Sequence, residues 1–435
     1  MSLRRLLFLA YSYPPVGARS HRAAKFAKYL SRHGWWPVII TPRAPYAPDE
    51  DLPLAEEAAR YPATVVRTGS FEPVWLIRAL KRATGAGRGP APARGPGAAR
   101  WLRANLAVPD YRLGWVPWAV AAGLREIRRQ RIEAIMVSVE PHSSLIAAVL
   151  LKRLTGLPLI MDFRDEWVPL IRYRDPEKLG FIVVFETWLE RRLVRHADAI
   201  VTVTPAVQEN FRRRYPALAG RVHCISNGWD VEDFAAAATS PAPGAPFVMT
   251  HAGTLYSQRF PDGLLAAMRG LLEEHAELRA RLRLRLVGLV DEESQRRLAA
   301  FPYPEAIECL GRRPSQDVAG LLRASDVLIL QEERDPVVGQ RYVPSKLYDY
   351  LGAERFVLAL AGPGVIRDTV HATGAGAAVD PQDVPAIREE LLRRLANGRG
   401  HAPSSAQQAE ARRRLTRDAL AGQLALVLNR LVVGA

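Results

Sequence analysis

The chain has 435 residues, long enough for two or three domains at about 150 residues each. Hydrophobic residues make up 48% and charged residues 24%, which excludes a disordered or fibrous class. The formal net charge of +15 favours anionic partners, whether nucleotide phosphates, lipid headgroups or nucleic acid, without choosing among them.

The opening "MSLRRLLFLAYSYPP" has too short an apolar run for a signal peptide and reads as a first buried strand. "SHRAAKFAKYLSRHG" follows as an amphipathic helix with Ala23, Phe26, Ala27 and Leu30 on one face. "WPVIITPR" is a second strand, so the chain begins with a βαβ unit and a parallel sheet. The stretch 84–100, rich in Gly, Pro, Ala and Arg, reads as a mobile loop. Strands and helices then alternate from "IEAIMVSV" to "RVHCIS". A second break at "FAAAATSPAPGAP" reads as a linker. A fresh series of strands and helices starts at "FVMTHAGTL". The expected organisation is a domain over 1–235, a linker over 236–246, a domain over 247–404 and a last helix over 405–435. That helix is given the option of returning to the first domain. No apolar run reaches the roughly 18 residues that a spanning helix needs. Cys224 and Cys309 fall in no metal or C-x-x-C spacing, which suggests a reducing compartment and no structural metal.

The predicted fold class is α/β, with two Rossmann-like doubly wound domains facing each other across a cleft. Ligands collect at the carboxyl ends of strands in such sheets. Gly17, Asp165, Gly253, Gly288 and Gly311 all fall just past predicted strand ends. In "RYVPSKLYDYLGAERFVLAL", Lys346 enters the first turn of a predicted helix beside Ser345, taken as its cap. A cation is disfavoured at that end of a helix dipole. Either the lysine points into water, or an anion is held there by both the helix end and the lysine.

Several motifs occur in a shared order: "YPPVGARSHRAAKFAKYLSRHGW", "PDYRLGWVPWA", "SVEPHSSLIAAVLLKRLTGLPLIMDFRDEW", "HADAIVTVTP", "ISNGWD", "HAGTLYSQR", "LVGLVDEES", "CLGRRPSQDVAGLLRASDVLIL" and "VPSKLYDYLGAERFVLAL". In that order the chain resembles the family-4 retaining glycosyltransferases of GT-B fold, in particular their bacterial envelope and exopolysaccharide members. The resemblance covers nearly the whole chain except the stretch near residue 90. It implies transfer of a sugar from a nucleotide diphosphate sugar to an acceptor hydroxyl, with retention and without metal or other cofactor. It makes 1–235 the acceptor domain and 247–404 the donor-nucleotide domain.

Residue by residue, the resemblance places Gly253, Thr254, Arg259, Gly288, Gly311, Arg312, Ser345, Lys346, Leu347 and Asp349 at the donor. Thr254 stands where the family has a basic residue. Asp349 matches the second of two acidic positions, whereas Arg341 occupies the first, eight residues earlier. On the acceptor side it implies Gly17, Arg22 and Arg164, with Ala18 in place of a second glycine. Asp165 is the carboxylate expected to face the acceptor hydroxyl. His142 either substitutes for a family histidine a few residues earlier or caps the helix at Ser143. Asp165, His142, Arg259 and Lys346 form the expected catalytic set.

The expected partners are the sugar nucleotide, a sugar, glycolipid or polyprenyl-linked acceptor, and an anionic membrane surface, but no nucleic acid. Trp75, Trp101, Trp115 and Trp118 are either core or interfacial, and the basic amphipathic "VWLIRALKRATG" reads as an interfacial helix. The localisation that follows is cytoplasmic or peripheral on the inner face of the membrane. A nucleotide-sugar epimerase, a degenerate partner subunit and a nucleic-acid binder are the competing readings. No recognised binding module supports the last of these.

Overall fold

The computed structural model describes residues 3–17, 19–43, 51–71, 101, 104–106, 108–235, 245–397 and 405–433. Ala18, Trp75, "VWLIRALKRATG", the 84–100 stretch and most of the expected linker lie outside them.

The chain divides into two compact units, Met1–Ser226 with Ala421–Ala435, and Asn227–Leu420. Among the described residues the first holds seven strands: β1 (Arg4–Leu9), β2 (Trp35–Pro42), β3 (Thr64–Thr68), β4 (Ala134–Val139), β5 (Leu159–Phe163), β6 (Ala199–Thr202) and β7 (Val222–Cys224). They form one parallel sheet in the order β3-β2-β1-β4-β5-β6-β7. Every residue of β4, "AIMVSV", is buried. Such unbroken burial belongs to a parallel sheet covered by helices on both faces. The strand order turns back between β1 and β4, which creates a switch point at their carboxyl ends.

The second unit holds β8 (Phe247–Ala252), β9 (Leu282–Val287), β10 (Ile307–Gly311), β11 (Val327–Gln331), β12 (Phe356–Leu360) and β13 (Gly376–Val379). Their order is β10-β9-β8-β11-β12-β13, again parallel, with its switch point between β8 and β11. Met249, Leu284, Ile329 and Leu358 pack into one core layer, while Ala252, Leu328, Leu330 and Val357 pack into another. The alternating "LRLRLV" of β9 lies next to the sheet edge, where Arg285 pairs at 2.7 Å with Glu308 of β10. Charges of opposite sign suit neighbouring positions at such an edge.

The expected single helix after Ser405 is two, Ala406–Arg413 and Arg417–Val433. Ser405 and Gln408 close a reciprocal capping box on the first. From Ala421 the second belongs with the first unit. There Asn429 Oδ1 accepts bonds from Trp35 Nε1 at 3.0 Å and Arg4 Nη1 at 3.3 Å. No helix among the described residues is long and apolar enough to cross a membrane.

Candidate active site

In the second unit, the loop after β8 is pinned by backbone bonds from Gly253 N to Val287 O and from Leu255 N to Leu289 O, both 2.8 Å. Gly253 has φ 150° and Gly288 φ 140°. A Cβ on Gly288 would stand 2.2 Å from Gly253 O. The two loops therefore approach more closely than any side chain permits. Gly311, at φ 66°, accepts from Gly288 N at 2.9 Å. Thr254 and Arg312 are exposed on these loops.

The helix Ser345–Ala353 begins beside them, and its N-cap is Pro344 with ψ 135°. Ser345 is thus the first helical residue and not the cap expected of it. Proline at the cap already holds the extended backbone that starts the helix, and no side chain bonds the first turn. Leu347 is fully buried in the core, so its side chain packs instead of meeting a ligand. Lys346 and Asp349 lie on the helix three positions apart and are each half-buried. Among the described residues Lys346 forms no ion pair. Its Cγ and Cε lie 3.8 Å from the point where a Cβ on Gly253 would stand. A half-buried ammonium without a carboxylate partner, in the first turn of a helix at the switch point, makes an anion site with two sources of positive potential.

Arg259 has a partner that sequence reasoning missed. Its Nε donates at 2.8 Å to Oε2 of Glu333, and Tyr256 OH donates to the same oxygen. Glu333 is buried just beyond β11. It fixes the guanidinium while leaving the two terminal nitrogens of Arg259 for a ligand. His251, in β8, is the other missed neighbour. Its Nδ1 lies 3.1 Å from Ile329 O, which can only accept, so Nδ1 carries the proton. Tyr350 OH donates to the same carbonyl at 3.1 Å and accepts from Ala252 N at 2.9 Å. Burial first, then the Arg259 and Lys346 charges, bring the His251 imidazole down to about 4 against the opposing effect of the Ile329 bond. It is neutral at physiological pH.

In the first unit, Asp165 follows β5 and Glu140 follows β4. Arg174 joins them, 3.1 Å from Asp165 Oδ2 and 2.6 Å from Glu140 Oε1. Arg19 stands 3.8 Å from the other Glu140 oxygen. Burial opposes ionisation of Glu140, but Arg174 and Arg19 outweigh it and hold the carboxyl well below its ordinary range. Asp165 moves the opposite way, raised by desolvation and by the Glu140 charge against the pull of Arg174. Two carboxyls driven apart in acidity at the mouth of a switch point are the arrangement that acid–base chemistry uses. Asp165 keeps 38% of its side chain open to water, so it is reachable, and that exposure weakens the desolvation while the Glu140 charge still raises its pKa.

His142 stacks on Trp167 at 4.5 Å and 7°. Burial lowers its pKa to about 4, and its Nε2 is enclosed without a partner among the described residues. It does not cap the following helix. Asp110 does that, accepting from Ser143 N at 2.9 Å and from Ser143 Oγ at 2.8 Å. Arg164 Nη1 donates to the Arg19 carbonyl and ties β5 to the loop that holds the buried Gly17.

Arg22 corrects an expectation. Its Nε and Nη2 bond the Asp162 carboxylate at 2.8–3.2 Å, and Nη2 and Nη1 reach Ile225 O and Ser226 O at 2.8 Å. Its side chain is 2% exposed, so it braces the sheet and presents no guanidinium to an acceptor. Of the tryptophans, Trp115 is core, whereas Trp101 and Trp118 are exposed.

Two doubly wound units, each with its charged loops at the switch point, define the GT-B class of sugar-transferring folds. A Glycosyltransferase Family 4 model matches residues 20–233, and a Glycosyl transferases group 1 model matches residues 246–397. The chain belongs to the family-4 glycosyltransferases. It is 28% identical over 159 residues to D-inositol 3-phosphate glycosyltransferase of Saccharomonospora viridis, a match covering 34% of this chain and 37% of that relative's length. In fold it is similar to a glycosyltransferase of Rickettsia africae, with TM-score 0.64, 12% identity and full coverage of both chains. It is also similar to HepE of Anabaena in complex with UDP, with TM-score 0.62, 15% identity and coverage of 98% of this chain and 99% of that one. HepE has also been solved with UDP-glucose, and that structure gives TM-score 0.62 at 16% identity over 98% and 99% of the two chains.

Proposed function

We propose that the protein transfers a sugar from a nucleoside diphosphate sugar to an acceptor hydroxyl with retention of anomeric configuration, in the building of a cell-envelope polysaccharide or glycolipid. The observation that carries this reading is Lys346, a cation without a carboxylate partner among the described residues, set in the first turn of a helix at the β8/β11 switch point. The oriented Arg259 lies in the loop after β8. No step of this reading calls for a metal. Lys346, Arg259 and the helix end take the charge that develops on the leaving diphosphate, and preorganised charge of this kind is commonly the largest catalytic contribution. In the first unit, Asp165 is the carboxylate offered to the acceptor hydroxyl. The test is thermal shift against UDP, GDP, ADP and dTDP. One of them raises the melting temperature, equivalent to about 2.7 kcal/mol at a hundredfold excess over Kd. No shift with any of the four would overturn the donor site. The anomer formed on transfer, read by NMR, decides retention against inversion.

The acceptor we propose is lipid-linked and met at an anionic membrane surface. The helix Gly180–Val194 supports this reading. Phe181, Val184, Phe185 and Trp188 repeat along one of its faces and are 47–71% exposed. Its two acids, Glu186 and Glu190, turn inward to Lys178 and Arg214, while Arg191, Arg192 and Arg195 at its end stay outside. An exposed apolar face with arginines at one end and its own acids turned inward suits anionic headgroups. The protein is expected to sediment with vesicles of 30:70 phosphatidylglycerol to phosphatidylcholine (about a third anionic), and a Phe181→Ser/Trp188→Ser variant is expected to stay in the supernatant. Equal sedimentation of the two would remove the helix from this role.

A further inference from the structure

Besides Glu332 Oε1, on a half-buried residue, the carboxyl edge of β8 and β11 holds three acceptors on buried residues without a partner among the described residues: His251 Nε2, Gln331 Oε1 and Glu333 Oε1. The residues that carry them are 8%, 4% and 4% exposed. Buried polar atoms are paired in the great majority of cases, so three orphans around one switch point call for a cause. Each is fixed as an acceptor by what its other end does. The bond from Nδ1 to Ile329 O leaves Nε2 with a bare lone pair. Gln331 Nε2 donates to Glu332 O at 3.2 Å and so turns its amide oxygen the other way. Oε2 of Glu333 is occupied by Arg259 and Tyr256, while Oε1 is not.

These acceptors lie among groups of the opposite kind. Lys346 and Arg259 can only donate, and both bear on His251. An anion is drawn to the cations and repelled by the acceptors. A metal ion would meet the acceptors but also the two cations beside them. A ligand that satisfies both sets has phosphate oxygens at one end and several O–H donors next to them. Access is built in at Gly253, where a Cβ would stand 3.7 Å from His251 Nε2 and 3.8 Å from the Lys346 stem. Gly253 and the Lys346 stem thus lie beside the lone pair.

We propose that His251, Gln331 and Glu333 form a subsite that accepts hydrogen bonds from the hydroxyls of the donor's glycosyl group. This inference rests on the nucleotide-sugar reading above. It supplies acceptors at a donor site whose expected first glutamate is Arg341, a residue that cannot accept.

Calorimetry on the full chain tests it with UDP, GDP, ADP and dTDP and with the glucose, galactose and N-acetylglucosamine conjugates that exist for each. His251→Phe is expected to weaken the best-bound sugar nucleotide about tenfold while leaving the free diphosphate within about twofold. Gln331→Met, which keeps the shape of the side chain and removes the amide, serves as a second variant should the first fail to fold. It is expected to weaken the sugar nucleotide severalfold with the same selectivity. Equal weakening of diphosphate and sugar nucleotide, or no change in either, overturns the subsite and leaves the donor site standing. Binding of a diphosphate but of no sugar conjugate by the native protein also overturns it. Binding of neither overturns the donor site itself and the subsite with it.

Discussion

Lys346→Ala removes the nucleotide-induced rise in melting temperature and lowers kcat/KM by roughly 10²–10³-fold, the range seen when one preorganised charge or donor is taken from a developing anion. The ligand-free protein moves the other way. Lys346 sits in the first turn of its helix, where a cation opposes the dipole. Truncation is therefore expected to raise the stability of the free protein by about 0.3–1 kcal/mol. The pair of opposite signs is the diagnostic. A lysine that served only packing or solubility would lose stability or show no change, and nucleotide binding would be unaffected. Urea titration with and without 5 mM nucleotide (about a hundredfold over a typical Kd) reads both quantities. Retention of the full ligand shift in the variant would sink the assignment of this lysine to the diphosphate.

Asp162→Ala is expected to cost about 3–5 kcal/mol, the largest stability loss predicted for a single residue of the first unit. The carboxylate receives Nε and Nη2 of Arg22, and the two side chains are 2% and 0% exposed. Removing it strands a guanidinium that no water reaches. The double variant Arg22→Met/Asp162→Leu removes both charges and is expected to recover more than half of the loss, because the desolvation penalty goes with them. It does not recover all of it, since the carbonyls of Ile225 and Ser226 still lose their donor. Chemical denaturation followed by a probe in the first unit measures both. A single-variant loss below about 1 kcal/mol would show that the pair is not the brace described.

The strand series was legible because parallel strands buried on both faces print continuous apolar runs, as "AIMVSV" and "FVLAL" do. Lys346 was legible for a local reason, a charge of the wrong sign at a helix start. Gly253 and Gly288 were legible because only glycine allows two strand-end loops to touch. What escaped the reading depends on partners far away in the chain. Arg259 and Glu333 are 74 positions apart, and nothing near Arg259 announces that a buried carboxylate orients it. Arg22 and Asp162 are 140 apart. An arginine after a glycine loop reads the same whether it faces a ligand or braces a sheet. Glu140 joins Asp165 through Arg174, which three separate segments must converge to achieve. Ser345 was misplaced by one position because a proline took the cap, a role that the side-chain preference for serine does not anticipate.

The bond network at Asn429 ties the first unit to the last part of the chain to be made. Trp35 and Arg4, neighbours in the register of β1 and β2, both donate to one side chain, 394 and 425 positions later. The ribosome releases the strands of the first unit well before it releases Ala421–Val433. The first unit therefore receives this contact only after the whole second unit has been made. In a nascent chain, the half that is made first gains its last hydrogen bonds from the final helix.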